Sequence, residues 1–227
     1  MKSVIVTGGS GKVGRAAIRE LLKHGYQVMN VDTTAPAEQL CHFMKTDLND
    51  LGQSVDALRL LAGTIDRRRA SIGEPSAVIH LAGIPAPGLA PDATIFQNNM
   101  MTTYNVFSAA VRAGLKRVVW ASSETIYGLP FTRTPPAFAP VTEDHPLAPE
   151  SGYALAKTLC ENMAREVTRW NPGTRLSACA SPISSKRKTM RRSLRSGPIR
   201  TSENGICGAG STAGTWRRPA GWGLRRM

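Results

Sequence analysis

Up to about residue 176, short apolar runs alternate with amphipathic stretches along the chain. Alternation of this kind is typical of strands joined by crossover helices. The apolar runs predict strands at Ser3 to Thr7, Gln27 to Val31, His42 to Thr46, Ala77 to Leu81 and Arg117 to Ala121. The amphipathic stretches predict helices at Lys12 to His24, Leu51 to Ala62, Ala93 to Ala113 and Gly152 to Trp170. The pattern therefore predicts one α/β domain over residues 1–176, with a doubly wound parallel sheet.

The pattern stops after Leu176, and the rest of the chain has a different composition. Ser177 to Met227 contains 11 Lys or Arg and one acidic residue, whereas residues 1–176 contain 18 basic and 15 acidic side chains. Low apolar content with high charge predicts a disordered basic tail. Because the tail carries most of the net charge of +13 and has no interleaved aromatic platform, we expect no nucleic-acid partner.

The cysteines and the N-terminal residues indicate the cellular compartment of the protein. The four cysteines have neither CxxC nor metal-ligand spacing, which favours reduced thiols and no metal site. The first apolar run is too short for a signal-peptide core, and no stretch reaches the length of a membrane span. We expect a cytoplasmic protein with no membrane partner.

A glycine-rich turn, TGGSGKVG at residues 7–14, separates the first strand from the first helix. Gly8, Gly11 and Gly14 permit a tight turn, close approach of a pyrophosphate to the backbone, and close packing of helix on strand. The helix N-terminus at Lys12 and Val13 then offers free N–H groups to an anion. This arrangement predicts a dinucleotide site in a Rossmann-like fold rather than an ordinary turn.

Asp32 ends the second strand, 18 residues after Gly14. A carboxylate there accepts hydrogen bonds from ribose hydroxyls and repels a 2′-phosphate. The sequence therefore favours NAD over NADP, although Arg15 could soften that preference by accepting a 2′-phosphate. A solvated Asp at a strand end is the alternative interpretation.

Tyr153 and Lys157 form the only Y-x-x-x-K of the chain, on a predicted helix. Residues four apart share a helix face, so the ammonium group can lie near the phenol. A close positive charge favours the phenolate, which would act as a base near neutral pH. The pair follows a strand that ends in ASSETIYG, residues 121–128.

Taken in order, these motifs resemble the extended short-chain dehydrogenase/reductases, the family of NAD-dependent epimerases and dehydratases. The glycine spacing G-x-x-G-x-x-G is similar to theirs, and ASSETIYG resembles their S-S-x-x-V-Y-G. The resemblance implies that Ser123, Tyr153 and Lys157 are catalytic, and that Asn99 braces the site and holds a water near the lysine. It further implies cofactor contacts from Asp47, Leu48, Leu81, Ala82 and Gly83, and a substrate site lined by Ser122, Ser123 and Thr125.

The implied activity is hydride transfer between NAD and a sugar or sugar nucleotide, while Tyr153 moves the hydroxyl proton. A simple dehydrogenase of the uronate or hydroxysteroid type shares the same motifs, and a catalytically impaired NAD-binding remnant is a further alternative. The resemblance also implies that the helices at residues 93–113 and 152–170 pair two copies into a homodimer.

The resemblance ends near Leu176, where the family continues with a strand similar to L-R-x-S-N-V and a substrate domain. A coding sequence for the family-like peptide IGLRFSNI, read one base later, yields SACASPIS, the sequence of residues 177–184. A coding sequence for the family-like peptide KWNLWG, read in the same shifted frame, yields NGICGA, the sequence of residues 204–209. We therefore expect a frameshift after residue 176 and loss of the sixth strand, which would leave the sheet edge exposed.

Overall fold

The computed structural model describes residues 3–59 and 75–180. Its strands are β1 (Ser3–Thr7), β2 (Gln27–Asp32), β3 (His42–Lys45), β4 (Pro75–His80), β5 (Arg117–Ala121) and β6 (Arg175–Cys179). Its helices are α1 (Lys12–Lys23), α2 (Leu51–Arg59), α3 (Asp92–Arg112) and α4 (Gly152–Trp170), with a short 3-10 helix at Glu124–Tyr127.

The six strands form one parallel sheet in the order β3-β2-β1-β4-β5-β6. Helices cover both faces, because alternate residues of a strand point to opposite sides. Val4 and Val6 pack with Ile18 of α1, whereas Ile5 belongs to the larger core that includes Phe107 of α3 and Cys160 of α4. The predicted doubly wound α/β fold is therefore confirmed.

The predicted elements all form, with ends that differ by one or two residues. β2 extends to Asp32, β3 ends at Lys45, and β4 runs over Pro75–His80 instead of residues 77–81. α1 ends one residue before His24, and α3 runs over residues 92–112 instead of 93–113. The predicted end of α2 at Ala62 lies outside the described residues.

The expected loss of the sixth strand is wrong. β6 pairs with β5 in parallel, with Leu176 opposite Val118 and Ala178 opposite Trp120. Leu176 and Ala178 are buried, while Ser177 between them is half-buried, so the short segment keeps the period of two that a strand needs. Backbone pairing requires no particular side chains, and an alanine is small enough to fit against the core. The remainder of the predicted tail, residues 181–227, lies outside the described residues.

Candidate active site

The two central strands, β1 and β4, are followed by loops that leave in opposite directions across the sheet. Such a topological switch point opens a crevice outside the carboxyl ends of the strands. Predicted site residues follow β1, β2, β3, β4 and β5 at this edge, and α3 and α4 contribute Asn99, Tyr153 and Lys157. The fold therefore collects them from distant parts of the sequence.

The turn after β1 is packed too tightly for side chains. Gly8 has φ +70°, and a Cβ there would lie 2.6 Å from the Ala82 nitrogen. A Cβ on Gly14 would lie 2.2 Å from the Gly8 carbonyl oxygen. Gly11 differs, because a Cβ there would meet only the Gly8 oxygen, at 3.2 Å. Gly8 and Gly14 are thus required by packing, whereas Gly11 keeps open the space outside the turn.

The N-terminus of α1 is open to an anion. Gly11 occupies the N-cap position and supplies no side-chain cap to the helix. Lys12 and Val13 follow it and are exposed. The first N–H groups of a helix lack partners within the helix, so this end fits a phosphate group.

Asp32 lies at the end of β2, where backbone N–H groups orient its carboxylate. One oxygen accepts from the Ser10 N–H and the other from the Thr34 N–H, each at 3.0 Å. An ionised carboxylate has about four acceptor positions, so capacity remains for ribose hydroxyls. The Arg15 guanidinium donates to the Ser10 carbonyl at 3.0 Å and lies beside the same turn.

The two residues after β3 that were expected to contact the cofactor, Asp47 and Leu48, differ in exposure. Asp47 is exposed, and its carboxylate accepts from the Asn49 N–H at 2.9 Å. The side chain of Leu48 is buried in the core, and its carbonyl accepts from Asn105 at 2.8 Å. Only Asp47 therefore has a side chain that faces solvent at this position.

The loop after β4 contains Leu81, Ala82 and Gly83, and Asn99 holds it from α3. The Asn99 Oδ1 accepts from the Ile84 N–H at 2.8 Å, and its Nδ2 donates to the Ile84 carbonyl at 3.0 Å. A Cβ on Gly83 would lie 2.9 Å from that Oδ1. Asn99 thus holds this loop through both ends of its amide, and the water expected near the lysine stays a prediction.

Ser123, Tyr153 and Lys157 are all buried at the carboxyl end of β5. The Lys157 Nζ donates to the Ala121 carbonyl at 2.6 Å and lies 5.7 Å from the centre of the Tyr153 ring. The Ser123 Oγ accepts from the Thr125 hydroxyl at 2.9 Å. The fold therefore brings the three predicted catalytic residues together, although they are up to 34 positions apart in the sequence.

Burial dominates the electrostatics of this group. It raises the pKa of Tyr153, and a hydrogen bond with the Ser123 side chain partly offsets the increase. It lowers the pKa of Lys157, and the nearby Cys160 thiol acts in the opposite direction. Ser123, and not Lys157 as the sequence predicted, is thus the neighbour that favours the phenolate, and burial gives a raised pKa of Tyr153 in place of the expected lowering.

His80 is part of the framework under the site. Its Nδ1 lies 2.7 Å from the Thr7 hydroxyl and its Nε2 lies 3.3 Å from the Thr103 hydroxyl. Burial and, to a lesser extent, the positive charge of Lys157 lower its pKa to about 3. The ring is therefore neutral at physiological pH, and its two hydrogen-bond partners give it a structural role.

The two residues beside Ser123 have different surroundings. Ser122 is buried and donates through its Oγ to the Glu161 Oε1 at 2.5 Å. Thr125 is half-buried and bonded to Ser123. The sequence analysis missed Glu161, which follows Lys157 by four positions and so shares its face of α4. That spacing was the available signal.

Within residues 3–59 and 75–180, no group of three His, Cys, Asp or Glu side chains is arranged to hold a metal ion. Over the same residues, no helix combines the length and the apolar character that a membrane crossing requires.

An open helix N-terminus after a glycine turn, an Asp at the end of β2 and a buried Ser, Tyr and Lys at the same sheet edge are typical of the short-chain dehydrogenase/reductase class. The sequence profile of the NAD dependent epimerase/dehydratase family matches residues 4–183. The chain belongs to this family.

The chain is similar to several characterised proteins. It is 32% identical over 169 residues to the UDP-glucose 4-epimerase of Bacillus subtilis, an alignment that covers 73% of this chain and 48% of that protein. A short-chain dehydrogenase/reductase from Agrobacterium tumefaciens, with bound NAD, is 31% identical with a TM-score of 0.62, covering 78% of this chain and 48% of that one. A mutated uronate dehydrogenase is 27% identical with a TM-score of 0.61, covering 78% and 57%. The chain spans about half the length of the curated relatives it matches.

Proposed function

We propose that this chain binds NAD and forms the cofactor-binding and proton-transferring half of an epimerase-type oxidoreductase that acts on a sugar nucleotide. The observation that carries the proposal is the placement of Ser123, Tyr153 and Lys157 at the same sheet edge as the open turn at residues 8–14. The similarity to UDP-glucose 4-epimerases supports a sugar nucleotide as substrate.

The residues at the turn fit NAD. The N–H groups at the start of α1, after Gly11, would hold the pyrophosphate, and Asp32 would accept the ribose hydroxyls. The exposed Asp47 would contact the adenine end, and the backbone at Leu81, Ala82 and Gly83 would lie along the cofactor. The negative charge of Asp32 beside the turn favours NAD over NADP.

NAD, when bound, supplies a hydride acceptor that later returns the hydride to the substrate. Tyr153 takes the hydroxyl proton of the substrate, and the Ser123 hydroxyl donates to the substrate oxygen. Lys157, fixed by the Ala121 carbonyl, holds its ammonium 5.7 Å from the centre of the Tyr153 ring, while the hydrogen bond with Ser123 favours the phenolate. Thr125 bonds to Ser123 and so fixes the direction of its hydroxyl.

NAD binding is the first test, measured by calorimetric titration of the full chain. Gly11→Ala places a methyl group outside the turn with little internal contact, so we expect NAD affinity to fall by about tenfold or more. The control is Gly114→Asn, a turn residue with φ +72° and open space around it, since Asn tolerates this conformation. Failure of the wild-type chain to bind NAD, or equal binding by Gly11→Ala, would contradict the proposal.

Product analysis separates the types of reaction. An epimerase converts UDP-glucose to UDP-galactose without net NADH, whereas a dehydrogenase accumulates NADH. The similarity to uronate dehydrogenase makes a uronate the second substrate to test. Because the chain spans about half of its relatives, binding of NAD with no turnover of either substrate would favour the impaired remnant.

The family homodimer is a further part of the proposal. α3 and α4 pack against each other and expose apolar side chains, namely Met101, Tyr104, Leu155 and Leu159. Met101 and Tyr104 lie three positions apart on α3, and Leu155 and Leu159 lie four positions apart on α4, so the two residues of each pair share a helix face. Light scattering of the wild type beside Leu155→Glu tests the idea, and a monomeric wild type would refute it.

The frameshift remains a proposal about the gene. We expect the alternative frame beyond codon 176 to encode a strand followed by the pattern of a substrate domain. Sequencing of the gene decides this, and an alternative frame without such a pattern would remove the proposal.

A further inference from the structure

A line of side-chain amides joins two loops that we assign to the cofactor site, the turn at residues 47–49 and the loop at residues 83–84. The Asn49 Nδ2 donates to the Asp47 Oδ1 at 3.3 Å and to the Asn98 Oδ1 at 3.0 Å. The Asn98 Nδ2 donates to the Asn99 Oδ1 at 3.1 Å, and the Asn99 Nδ2 donates to the Ile84 carbonyl at 3.0 Å. A continuous path of hydrogen bonds thus runs from Asp47 to Ile84.

All of the amides in this path point the same way. Asn49, Asn98 and Asn99 each donate toward the next member, and the last donates to the backbone of Ile84. Reversal of Asn98 alone would place its NH2 group against that of Asn49 and its oxygen against the Asn99 Oδ1. Each orientation therefore depends on its neighbours, and hydrogen bonds in such chains polarise one another.

A second anchor on α3 holds the backbone of the same turn. The Asn105 Nδ2 donates to the carbonyls of Leu48 and Asn49, at 2.8 and 2.9 Å. Asn105 lies seven positions after Asn98, two helical turns along the same face. α3 therefore binds the turn at residues 47–49 through Asn105 independently of Asn98. Asn98 adds a hydrogen bond that connects this turn to Asn99.

We propose that Asn98 is a positioning residue that couples the turn at residues 47–49 to the loop at residues 83–84. This inference rests on the proposed binding of NAD, because the link would fix the spacing between the turn at the adenine end and the loop that lies along the cofactor. Asn98 need not contact the cofactor. Its effect passes through Asn99, whose Oδ1 it shares with the Ile84 N–H.

Two substitutions of Asn98 distinguish its hydrogen bond with Asn49 from its hydrogen bond with Asn99. Asn98→Ala removes both bonds. Asn98→Asp keeps an acceptor for Asn49 but has no NH2 group, and it places a carboxylate oxygen against the Asn99 Oδ1. Gln97→Ala is the matched control, since it removes an amide from the neighbouring, exposed position of α3.

The first measurement is amide hydrogen exchange by NMR on the full chain without cofactor. We expect the Ile84 amide to exchange about three- to tenfold faster in both Asn98 variants, as the loss of one hydrogen bond predicts. The Asn49 amide, which donates to Asp47 at 2.9 Å, should accelerate in Asn98→Ala and stay near the wild-type rate in Asn98→Asp. Exchange at Ile84 equal to that of Gln97→Ala would overturn the link.

The second measurement is NAD affinity by calorimetry. We expect both Asn98 variants to bind NAD about three- to tenfold more weakly than the wild type and Gln97→Ala. Altered exchange at Ile84 with unchanged NAD affinity would overturn the positioning role while leaving the proposed function intact. A wild type that does not bind NAD would refute the proposed function and this role, and the exchange data would still decide whether the link exists.

Discussion

The buried His80 and Lys157 show how the environment of a residue, and not its type, sets its chemistry here. His80 lies between two threonine hydroxyls under the switch point, and burial keeps it neutral. Lys157 lies on α4, and its ammonium donates to the carbonyl of Ala121 at the end of β5. Both pKa values are lowered by burial, but only the lysine faces the tyrosine.

The low pKa of His80 predicts a pH-dependent stability. The unfolded chain takes up a proton at this residue below its usual pKa of 6.5, whereas the folded chain takes it up only below about 3. The free energy of unfolding is therefore undiminished above 6.5 and decreases as the pH falls through this interval, by up to about 1.4 kcal/mol per pH unit. We expect urea unfolding of His80→Gln between about pH 7 and about pH 5 to show a smaller decrease. The control is His42→Gln on the exposed side of β3, and equal slopes for all three proteins would contradict the prediction.

At the scale of elements, the glycine turn between β1 and α1 has to meet two structural requirements. The turn must pack under the loop after β4, and it must leave the helix end open. Gly8 meets the first requirement and Gly11 meets the second, while Gly14 lets the start of the helix pack closely on the turn itself. The three glycines are therefore not equivalent.

Their difference predicts losses of stability of different size for two alanine substitutions. Gly14→Ala places a Cβ 2.2 Å from the Gly8 carbonyl oxygen and 2.5 Å from the Gly9 Cα, so the backbone must shift. We expect this to lower the free energy of unfolding by about 1–3 kcal/mol. Gly11→Ala meets one atom at 3.2 Å and should cost less than about 1 kcal/mol. Urea unfolding compares the two, and equal losses would show that the packing difference has no energetic weight.

α4 joins to the end of β5 through two residues on one face. Lys157 bonds the Ala121 carbonyl and Glu161 bonds the Ser122 hydroxyl, so consecutive positions of the strand end are fixed by positions i and i+4 of the helix. Ser123 comes next in the chain. Its placement beside Tyr153 is therefore set by the packing of the helix on the strand.

For the molecule as a whole, the sixth strand decides where the sheet ends. β6 covers the outer edge of β5, and the Ser122 N–H donates to the Cys179 carbonyl at 2.9 Å. The strand thus extends pairing as far as the residue before Ser123. A segment that the sequence analysis assigned to a disordered tail supports the active-site edge.

A charge in this strand tests whether it forms in solution. Ala178 is buried against the core, so Ala178→Asp would bury an unpaired carboxylate. We expect a lower midpoint of thermal unfolding, equivalent to about 2 kcal/mol or more. Arg175→Asp, on an exposed position of the same strand, is the control. A midpoint unchanged by Ala178→Asp would mean that the strand is not packed.

Much of the site could be predicted because its signals are local. The glycine turn lies within eight consecutive residues and Y-x-x-x-K within five, so each pattern carries its own geometry. The amide path from Asp47 to Ile84 could not be predicted in this way, because Asn49 and Asn98 are 49 positions apart. An asparagine in a helix gives no sign of the backbone to which it will bond.

The sequence by itself determined the order of elements, the class of fold and the residues of the Ser-Tyr-Lys set, because the hydrophobic period and short motifs act over a few residues. Only the tertiary structure decided that Asn99 bonds Ile84, that Glu161 holds Ser122 and that Leu48 turns into the core. It also decided that Arg175–Cys179 forms a strand. The physical reason is the same in each case: burial and hydrogen-bond pairing depend on neighbours that only the folded chain brings into contact.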